Sequence, residues 1–527
     1  MPHISAFYRI AALCLAVTSI SVLFIGPLPA FSQEYGATVF QNSGADAAQE
    51  PFLEGLLMLH SFEYEDAREA FQHAQRIDPD FAMAYWGEAM TYNHPVWFSQ
   101  DKSAAVAALE KMGSTAAERL SRAGTNRESD YLKAAHVLFG DGEKEVRDDA
   151  FAAEMARLAA AYPNDLDAAA FHALSILGTS HEGRDFATYM RAAAIAEEVF
   201  VKNPRHPGAA HYLIHSYDDP VHAPLGLRAA RVYSGIAPAA AHAQHMPSHI
   251  FVALGMWDDV VLANEASWAA SEQRIAEKDL GVSDRGFHAL LWLTYGYLQQ
   301  GRYADADGLI QTMVESHQSV NSGRTAYHLA AMRAAYVVET EDWESTAAAI
   351  EVDPSLLSTE AGAIELFTRG FVALGRGSIE EAGEALSALR ALDGFEDDDH
   401  ASAKARAMGH QLDGLLTLAN SGSETEAIES LRQAAALEDV IPIDYGPPSP
   451  VKPSYELLGD VLLLADQIED ADSAYQRALK LAPRRARLLE GLTRTAEALG
   501  MPEKASDLAE ELANVRKNAD STARRPH

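Results

Sequence analysis

The chain has 527 residues, of which 48% are hydrophobic and 22% are charged, so its composition is that of a folded globular protein and not of a disordered one. Its formal net charge of −34 at pH 7 argues against nucleic acid as a partner, because binding to phosphates needs a basic face and the sequence contains no basic stripe. The length suits several domains or one extended repeat array.

The first 32 residues are interpreted as a signal peptide. An apolar run over residues 10–25 is followed by prolines and small residues, and we expect cleavage after Ser32. The mature protein is therefore expected to be exported to the periplasm, or secreted, with no membrane span after cleavage. The only cysteine, Cys14, lies inside this segment, so we expect neither disulfides nor thiolate metal ligands in the mature chain.

Two segments far apart in the chain share one pattern of small residues, an aromatic residue and a closing proline. Each segment predicts a helix that ends at the proline and whose small residues allow a neighbouring helix to pack closely. The helix that precedes each segment contains a glycine. The matching residues are Gly55, Ala67, Phe71, Ala74 and Pro79 in the first segment, and Gly459, Ala471, Tyr475, Ala478 and Pro483 in the second.

This pattern resembles the tetratricopeptide repeat (TPR), a helix–turn–helix unit of about 34 residues. The resemblance implies an all-α fold, a right-handed TPR α-solenoid of paired antiparallel helices in which the first helix of each pair lines a concave groove. It extends over nearly the whole mature chain. The expected organisation is a signal peptide (1–32), a short leader (33–47), an N-terminal array with the histidine-rich cluster (48–274), a C-terminal array (275–515) and a disordered tail (516–527).

The spacing of two prolines sets the register of a histidine-rich block in the N-terminal array. Pro204 and Pro238 each end a unit and lie 34 residues apart. In that register, two histidines of one unit occupy the same positions as two histidines of the next, and these positions lie on one face of a helix. The equivalent pairs are His211 with His245 and His215 with His249.

The register predicts a transition-metal site, because histidines four residues apart can chelate one ion and packed neighbouring helices bring two such pairs together. The predicted ligands are His211, His215, His242, His245, His249 and Asp218. Imidazole ligands suit zinc, copper, nickel or iron and disfavour calcium and magnesium, and export would make copper or zinc the expected ion. The sequence has no nucleotide or flavin signature, and the segment HYLIH lacks the glutamate of an HExxH zinc protease.

One irregularity lies inside the second pair. Pro247 falls between His245 and His249, so this helix is expected to start late, with His242 and His245 on the segment that approaches it. The alternative for the whole block is that these histidines line the groove and form hydrogen bonds between helices without a metal.

Further side chains are predicted to line the groove and to contact a ligand. For the histidines that occur singly on a helix, a groove-lining role is favoured over metal binding, and for the tryptophan, packing in the core is the alternative. Tyr212 is also a candidate to orient the metal ligands. The set is His60, His94, Trp86, Tyr212, His288 and His328.

Three functions remain open at this point. The favoured one is an exported TPR protein with a histidine-ligated metal site that binds a peptide, protein or small ligand in its groove. The alternatives are a metal-dependent oxidoreductase or hydrolase built on a TPR frame, and a metal-free scaffold for protein–protein interaction. The histidine block also resembles a group of exported bacterial TPR proteins, which supports the fold but supplies no activity.

Overall fold

The computed structural model describes residues 34–520, so the predicted signal peptide and residues 521–527 of the predicted tail lie outside the described residues. Within that range the fold is all-α, as the sequence predicts, and a single short hairpin joins strands Asn93–His94 and Ser99–Gln100. None of the described helices combines the length and the apolar character that a membrane span requires.

The helices of the first half of the chain are short to medium in length and follow one another with brief connections. Their bounds are α1 Asp46–His60, α2 Tyr64–Ile77, α3 Ala82–Met90, α4 Lys102–Glu110, α5 Ala116–Ser121, α6 Asn126–Leu138, α7 Lys144–Ala161, α8 Leu166–Leu177, α9 Phe186–Lys202, α10 Pro207–Tyr217, α11 Ala223–Ile236, α12 Ala241–His245, α13 Pro247–Ala253 and α14 Trp257–Lys278.

The second half continues the same alternation. Its helices are α15 Phe287–Gln299, α16 Tyr303–Val320, α17 Gly323–Thr340, α18 Thr346–Ala349, α19 Thr359–Gly375, α20 Ile379–Arg390, α21 His400–Ser421, α22 Glu424–Val440, α23 Ser454–Leu464, α24 Ile468–Leu481, α25 Ala486–Ala498 and α26 Pro502–Val515. Three single turns of 3₁₀ helix also occur in the described chain, at Pro95–Trp97, Val282–Asp284 and Pro354–Leu356.

Consecutive helices pack against each other along most of the array, and the short turns between them make each pair antiparallel. Alternate helices also touch, α15 with α17, α17 with α19 and α19 with α21, so they stack into a row. This is the solenoid of paired helices that the repeat predicts.

The glycines of the repeat make room for an aromatic ring between two helices. The buried ring of Tyr475 in α24 lies so close to Gly459 and Gly491 that a Cβ at those positions would be 2.7 and 2.5 Å from it. Phe71 in α2 is in the equivalent place, and a Cβ at Gly87 would lie 2.4 Å from its ring. The glycines are therefore needed for close approach of the helices.

Replacing Gly491 by alanine is expected to lower the free energy of unfolding by about 1–3 kcal/mol, because the added methyl group overlaps the ring of Tyr475. The matched control is Gly308→Ala in α16, where no atom lies within 4 Å of the added carbon. That variant is expected to gain up to about 1 kcal/mol from helix propensity. Urea unfolding followed by circular dichroism compares the two, and equal changes of the same sign would contradict the packing argument.

The C-terminal end of the array packs back onto the middle of the chain. The carbonyl oxygen of Arg484 accepts a hydrogen bond from the Trp257 indole N–H at 2.9 Å, and the backbone N–H of Asp520 donates to the carbonyl of Gly301 at 3.0 Å. The long connection between α22 and α23, residues 441–453, also reaches across to the N-terminal array. Of these segments, the 441–453 connection contacts the histidines, through Tyr445 against His249.

Candidate metal centre

Short helices of consecutive repeats bring six histidines into one cluster. Two come from α10, two from α12, one from the first turn of α13 and one from the first turn of α15; they are, in order, His211, His215, His242, His245, His249 and His288. Pro247 is the first residue of α13, a position whose N–H makes no hydrogen bond within the helix, so proline costs nothing there. Met246, between α12 and α13, keeps helical dihedral angles (φ −53°, ψ −36°). The rings of His245 and His249 therefore stay one turn apart, with centroids 5.0 Å from each other.

His211, His215 and His242 form what we call the first triad, in which one nitrogen of each ring lies within 4.8 Å of the others. The Nδ1 of His211 donates to the carbonyl oxygen of His60 at 2.8 Å, which leaves a lone pair on its Nε2. The Nε2 of His242 lies 3.2 Å from that atom. His215 is buried, and neither of its nitrogens has a hydrogen-bond partner among the described residues.

His245, His249 and His288 form the second triad under the same distance limit. The Nδ1 of His245 donates to Oδ1 of Asn264 at 2.6 Å. The amide nitrogen of Asn264 in turn donates to the carbonyl of Val260 at 2.8 Å, so the orientation of the amide is fixed. The Nε2 of His245 therefore carries a lone pair, and it lies 3.1 Å from the Nε2 of His249.

A carboxylate orients the other ring of that pair. The Nδ1 of His249 donates to Oδ2 of Asp218 at 3.0 Å, and Arg184 forms an ion pair with the second oxygen of the same carboxylate. The Nδ1 of His215 lies 3.5 Å from Oδ2 of Asp218. Metal-binding histidines commonly donate their outer nitrogen to a carboxylate in this way, which directs the inner lone pair toward the ion.

Burial keeps the rings of the cluster in the neutral form. Desolvation lowers the pKa of His211 to about 3 and that of His245 to about 4, and it lowers the pKa of His249 well below its usual range. Neutral imidazole is the form in which a histidine can act as a metal ligand.

The residues predicted to line the groove are distributed over several environments. Trp86 is 2% exposed and packs in the core against Tyr131 and Phe171, with ring centroids 5.1 and 5.5 Å away. His94 stacks on Tyr64, with the ring centroids 4.0 Å apart. The Nδ1 of His328 donates to the carbonyl of Arg324 at 2.7 Å. Only His288 of this set joins a triad.

His60 and Tyr212 belong to a separate buried network beside the first triad. The Nε2 of His60 donates to Oδ1 of Asp167 at 3.0 Å, and its Nδ1 accepts from the hydroxyl of Tyr212 at 2.9 Å. His206 lies 3.3 Å from the same oxygen of Asp167, and its Nδ1 accepts the N–H of Ala209 at the start of α10. The Nε2 of His206 is buried without a hydrogen-bond partner among the described residues, and the network adjoins the first triad through the His60 carbonyl, to which His211 donates.

A cavity of about 290 Å³ adjoins the second triad. His288 forms part of its wall, together with Trp292, Tyr327 and Tyr445. The ring centroid of Trp292 lies 4.5 Å from that of His249, and Tyr445 of the 441–453 connection lies 4.8 Å from the same ring. A small molecule in this cavity is therefore next to the histidine cluster.

Several residues that shape the centre carry no signal in the sequence. Arg184 lies in a loop, Asn264 in α14 and Tyr445 in the long connection after α22. Each reaches the cluster through a contact between distant segments. The sequence likewise gives no signal for the contact between Asp167 and His206. The position of His206 does suggest a helix cap, because it directly precedes Pro207, the first residue of α10.

Comparison with known proteins matches a family model only in the C-terminal part. The tetratricopeptide repeat model matches residues 453–485, which contain α23 and α24. No curated protein sequence matches the chain. A solved structure of the human IFIT1 dimer with PPP-AAAA is 12% identical with a TM-score of 0.38, covering 93% of this chain and 99% of that one.

The yeast Tom70 structure is also 12% identical, with a TM-score of 0.29 and coverage of 90% and 95%. Identities and scores this low identify neither a ligand nor an activity. The chain is a helical-repeat protein in which residues 453–485 form a tetratricopeptide repeat.

Proposed function

We propose that the protein is an exported TPR protein with a histidine-ligated transition-metal centre, and that it binds a ligand or partner beside that centre. The observation that supports this most strongly is the pair formed by His245 and His249. Both rings donate from Nδ1, to Asn264 and to Asp218, so both point a lone pair at the other across 3.1 Å.

Two lone pairs at this distance repel each other unless a cation lies between them. A metal ion that bonds imidazole nitrogen at about 2.0–2.1 Å with tetrahedral angles places two such nitrogens about 3.3 Å apart. The observed separations of 3.1 and 3.2 Å in the two triads are close to that value. One pair of nitrogens in each triad therefore has the spacing expected for two ligands of one ion.

The donor set favours copper or zinc. The candidate ligands of the two triads are imidazole nitrogens, which suit zinc, copper, nickel and iron, whereas calcium and magnesium prefer oxygen ligands. Iron is compatible with the same donors.

A second candidate function is metal-dependent catalysis by an oxidoreductase or a hydrolase. The cavity beside His288 favours it, because a small molecule bound there is next to the centre. The repeat also suggests a different ligand for the protein: a peptide or a partner protein that binds to the solenoid, with or without a metal. The net charge of −34 disfavours nucleic acid in that role.

Export follows from the sequence of residues 1–32, which lie outside the described part of the chain. The proposed location is the periplasm, or the medium if the protein is secreted.

The test of the metal centre is elemental analysis of the purified full-length protein beside His215→Ala and His249→Ala. We expect copper, zinc or iron in the wild type and about half of it or less in either variant, because each substitution removes one predicted imidazole ligand. His94→Ala is the control, because that ring donates to the carbonyl of Thr91 outside the cluster and the variant should keep its metal. An absorption spectrum under oxygen then distinguishes a redox ion from zinc.

Wild-type protein without bound metal, whose thermal unfolding is also unchanged by added copper or zinc, would contradict the proposal. Equal metal content in all four proteins would place the ion elsewhere.

A further inference from the structure

We infer that the centre holds two neighbouring metal ions, one in each triad; this inference rests on the proposed metal centre. Nitrogens that share one ion at about 2.0–2.1 Å lie at most about 4.2 Å from one another. The six histidines do not form one such group: the ligand atoms that approach within 4.8 Å form two triads, which meet where His215 and His249 share a third group with Asp218. One ion therefore cannot bind all six rings in this arrangement.

Each triad carries the elements of a site of its own. In the first, the lone pair of His211 is directed by its bond to the His60 carbonyl and lies 3.2 Å from the Nε2 of His242. In the second, the lone pairs of His245 and His249 face each other at 3.1 Å. Three protein ligands with an open fourth position are the usual arrangement of a reactive metal site, and each triad supplies three.

The two triads meet at one boundary. His215 of the first and His249 of the second have ring centroids 5.4 Å apart, and their ligand atoms lie within 4.8 Å of each other and of Asp218. Both nitrogens of the buried His215 lack a hydrogen-bond partner among the described residues. Ions in adjoining sites of this kind lie about 3.5–4 Å apart in two-metal centres.

The surroundings of the two triads differ. The ring of Phe62 covers the first triad, with centroids 4.2 Å from His211 and 5.6 Å from His242. The second opens through His288 on the wall of the cavity. His242 is half-buried and His288 faces the cavity, so one ligand of each triad can be truncated without removing a ring from the fully buried core.

The test counts ions in the full-length protein after removal of metal and addition of Zn(II), by dialysis and elemental analysis. We expect two ions in the wild type, one in His242→Ala, one in His288→Ala and none in the double variant. The control is His410→Ala in α21, a histidine whose charged neighbours are Asp413, Arg390 and Arg406, and this variant should keep two ions. Circular dichroism verifies that each variant is folded.

One ion in the wild type and none in either single variant would overturn the two-ion inference while leaving the metal centre in place. No ion in the wild type would overturn both. Cu(II) supplies a measurement on unmodified protein: neighbouring ions couple magnetically, so we expect an electron paramagnetic resonance spin count well below the bound copper. A spin count equal to the copper content would also overturn the inference.

Discussion

Replacing Arg485 by methionine is expected to lower the free energy of unfolding by about 3–5 kcal/mol. Arg485 is fully buried and binds Glu456 through its Nε at 2.5 Å, the hydroxyl of Tyr295 at 2.8 Å, and Glu339. The variant would leave two buried carboxylates: Glu456, which keeps its ion pair with Lys452, and Glu339, which loses its ion pair. Removing one partner of a buried ionic network is costly because the remaining charges stay out of water.

The same network gives this prediction a pH signature. Burial opposes ionisation of Glu456, but Arg485 and Lys452 outweigh burial and hold its pKa at about 2. The folded pKa lies below the unfolded value of about 4.3, so the carboxylate stabilises the fold above that pH and loses this contribution as pH falls toward 2. Without Arg485 the pKa is less depressed. The difference in stability between the two proteins should therefore shrink between pH 6 and pH 3.

Arg477→Met is the matched control for this substitution. Arg477 pairs with Asp439 at the surface, where both side chains are more than a third exposed, and the loss should be less than about 1 kcal/mol. Urea unfolding of the two variants at several pH values measures both effects. Equal losses for the buried and the exposed arginine would contradict the argument.

The repeat fold could be predicted from the sequence because its determinants are local and recur. The glycines and aromatic residues of the repeat unit, such as Gly459 and Tyr475, are close in sequence and meet in adjoining helices. Hydrophobic spacing and helix-ending prolines then specify each pair of helices. Alternation of such pairs leaves little choice of architecture, and the all-α solenoid is confirmed.

The site could be predicted only as far as the register extends. A repeat of fixed length tells which helix face a residue occupies, and this sufficed to group His211, His215, His245 and His249. The register does not tell how far the next pair of helices leans inward. The sequence therefore predicts His288 as a groove residue, whereas its ring centroid lies 4.6 Å from that of His245.

The residues that orient the histidines could not be predicted at all. Asn264 and Arg184 act through contacts with residues 19 and 31–35 positions away, for which the sequence contains no periodic signal. Tyr445 reaches the cluster from a connection whose path depends on the closure of the whole array.

Replacing Asp218 by asparagine is expected to weaken metal binding by about 10–100-fold, as losses of residues that orient metal ligands do. Its two carboxylate oxygens accept from two different donors, His249 and Arg184. An amide offers only one acceptor oxygen, so one of those donors loses its partner. If His249 turns to recover a hydrogen bond, its lone pair no longer points at His245.

The neighbouring Asp219→Asn is the matched control. Asp219 also pairs with Arg184, and it accepts the backbone N–H groups of Val221 and His222, but it makes no contact with the triads. This variant carries the same change of charge beside the same arginine, so it should lose stability and keep its metal affinity. Titration with Zn(II) against a competing chelator separates the two. If both variants weaken binding equally, the effect comes from charge near Arg184; if only Asp218→Asn does, it comes from the aim of the His249 lone pair.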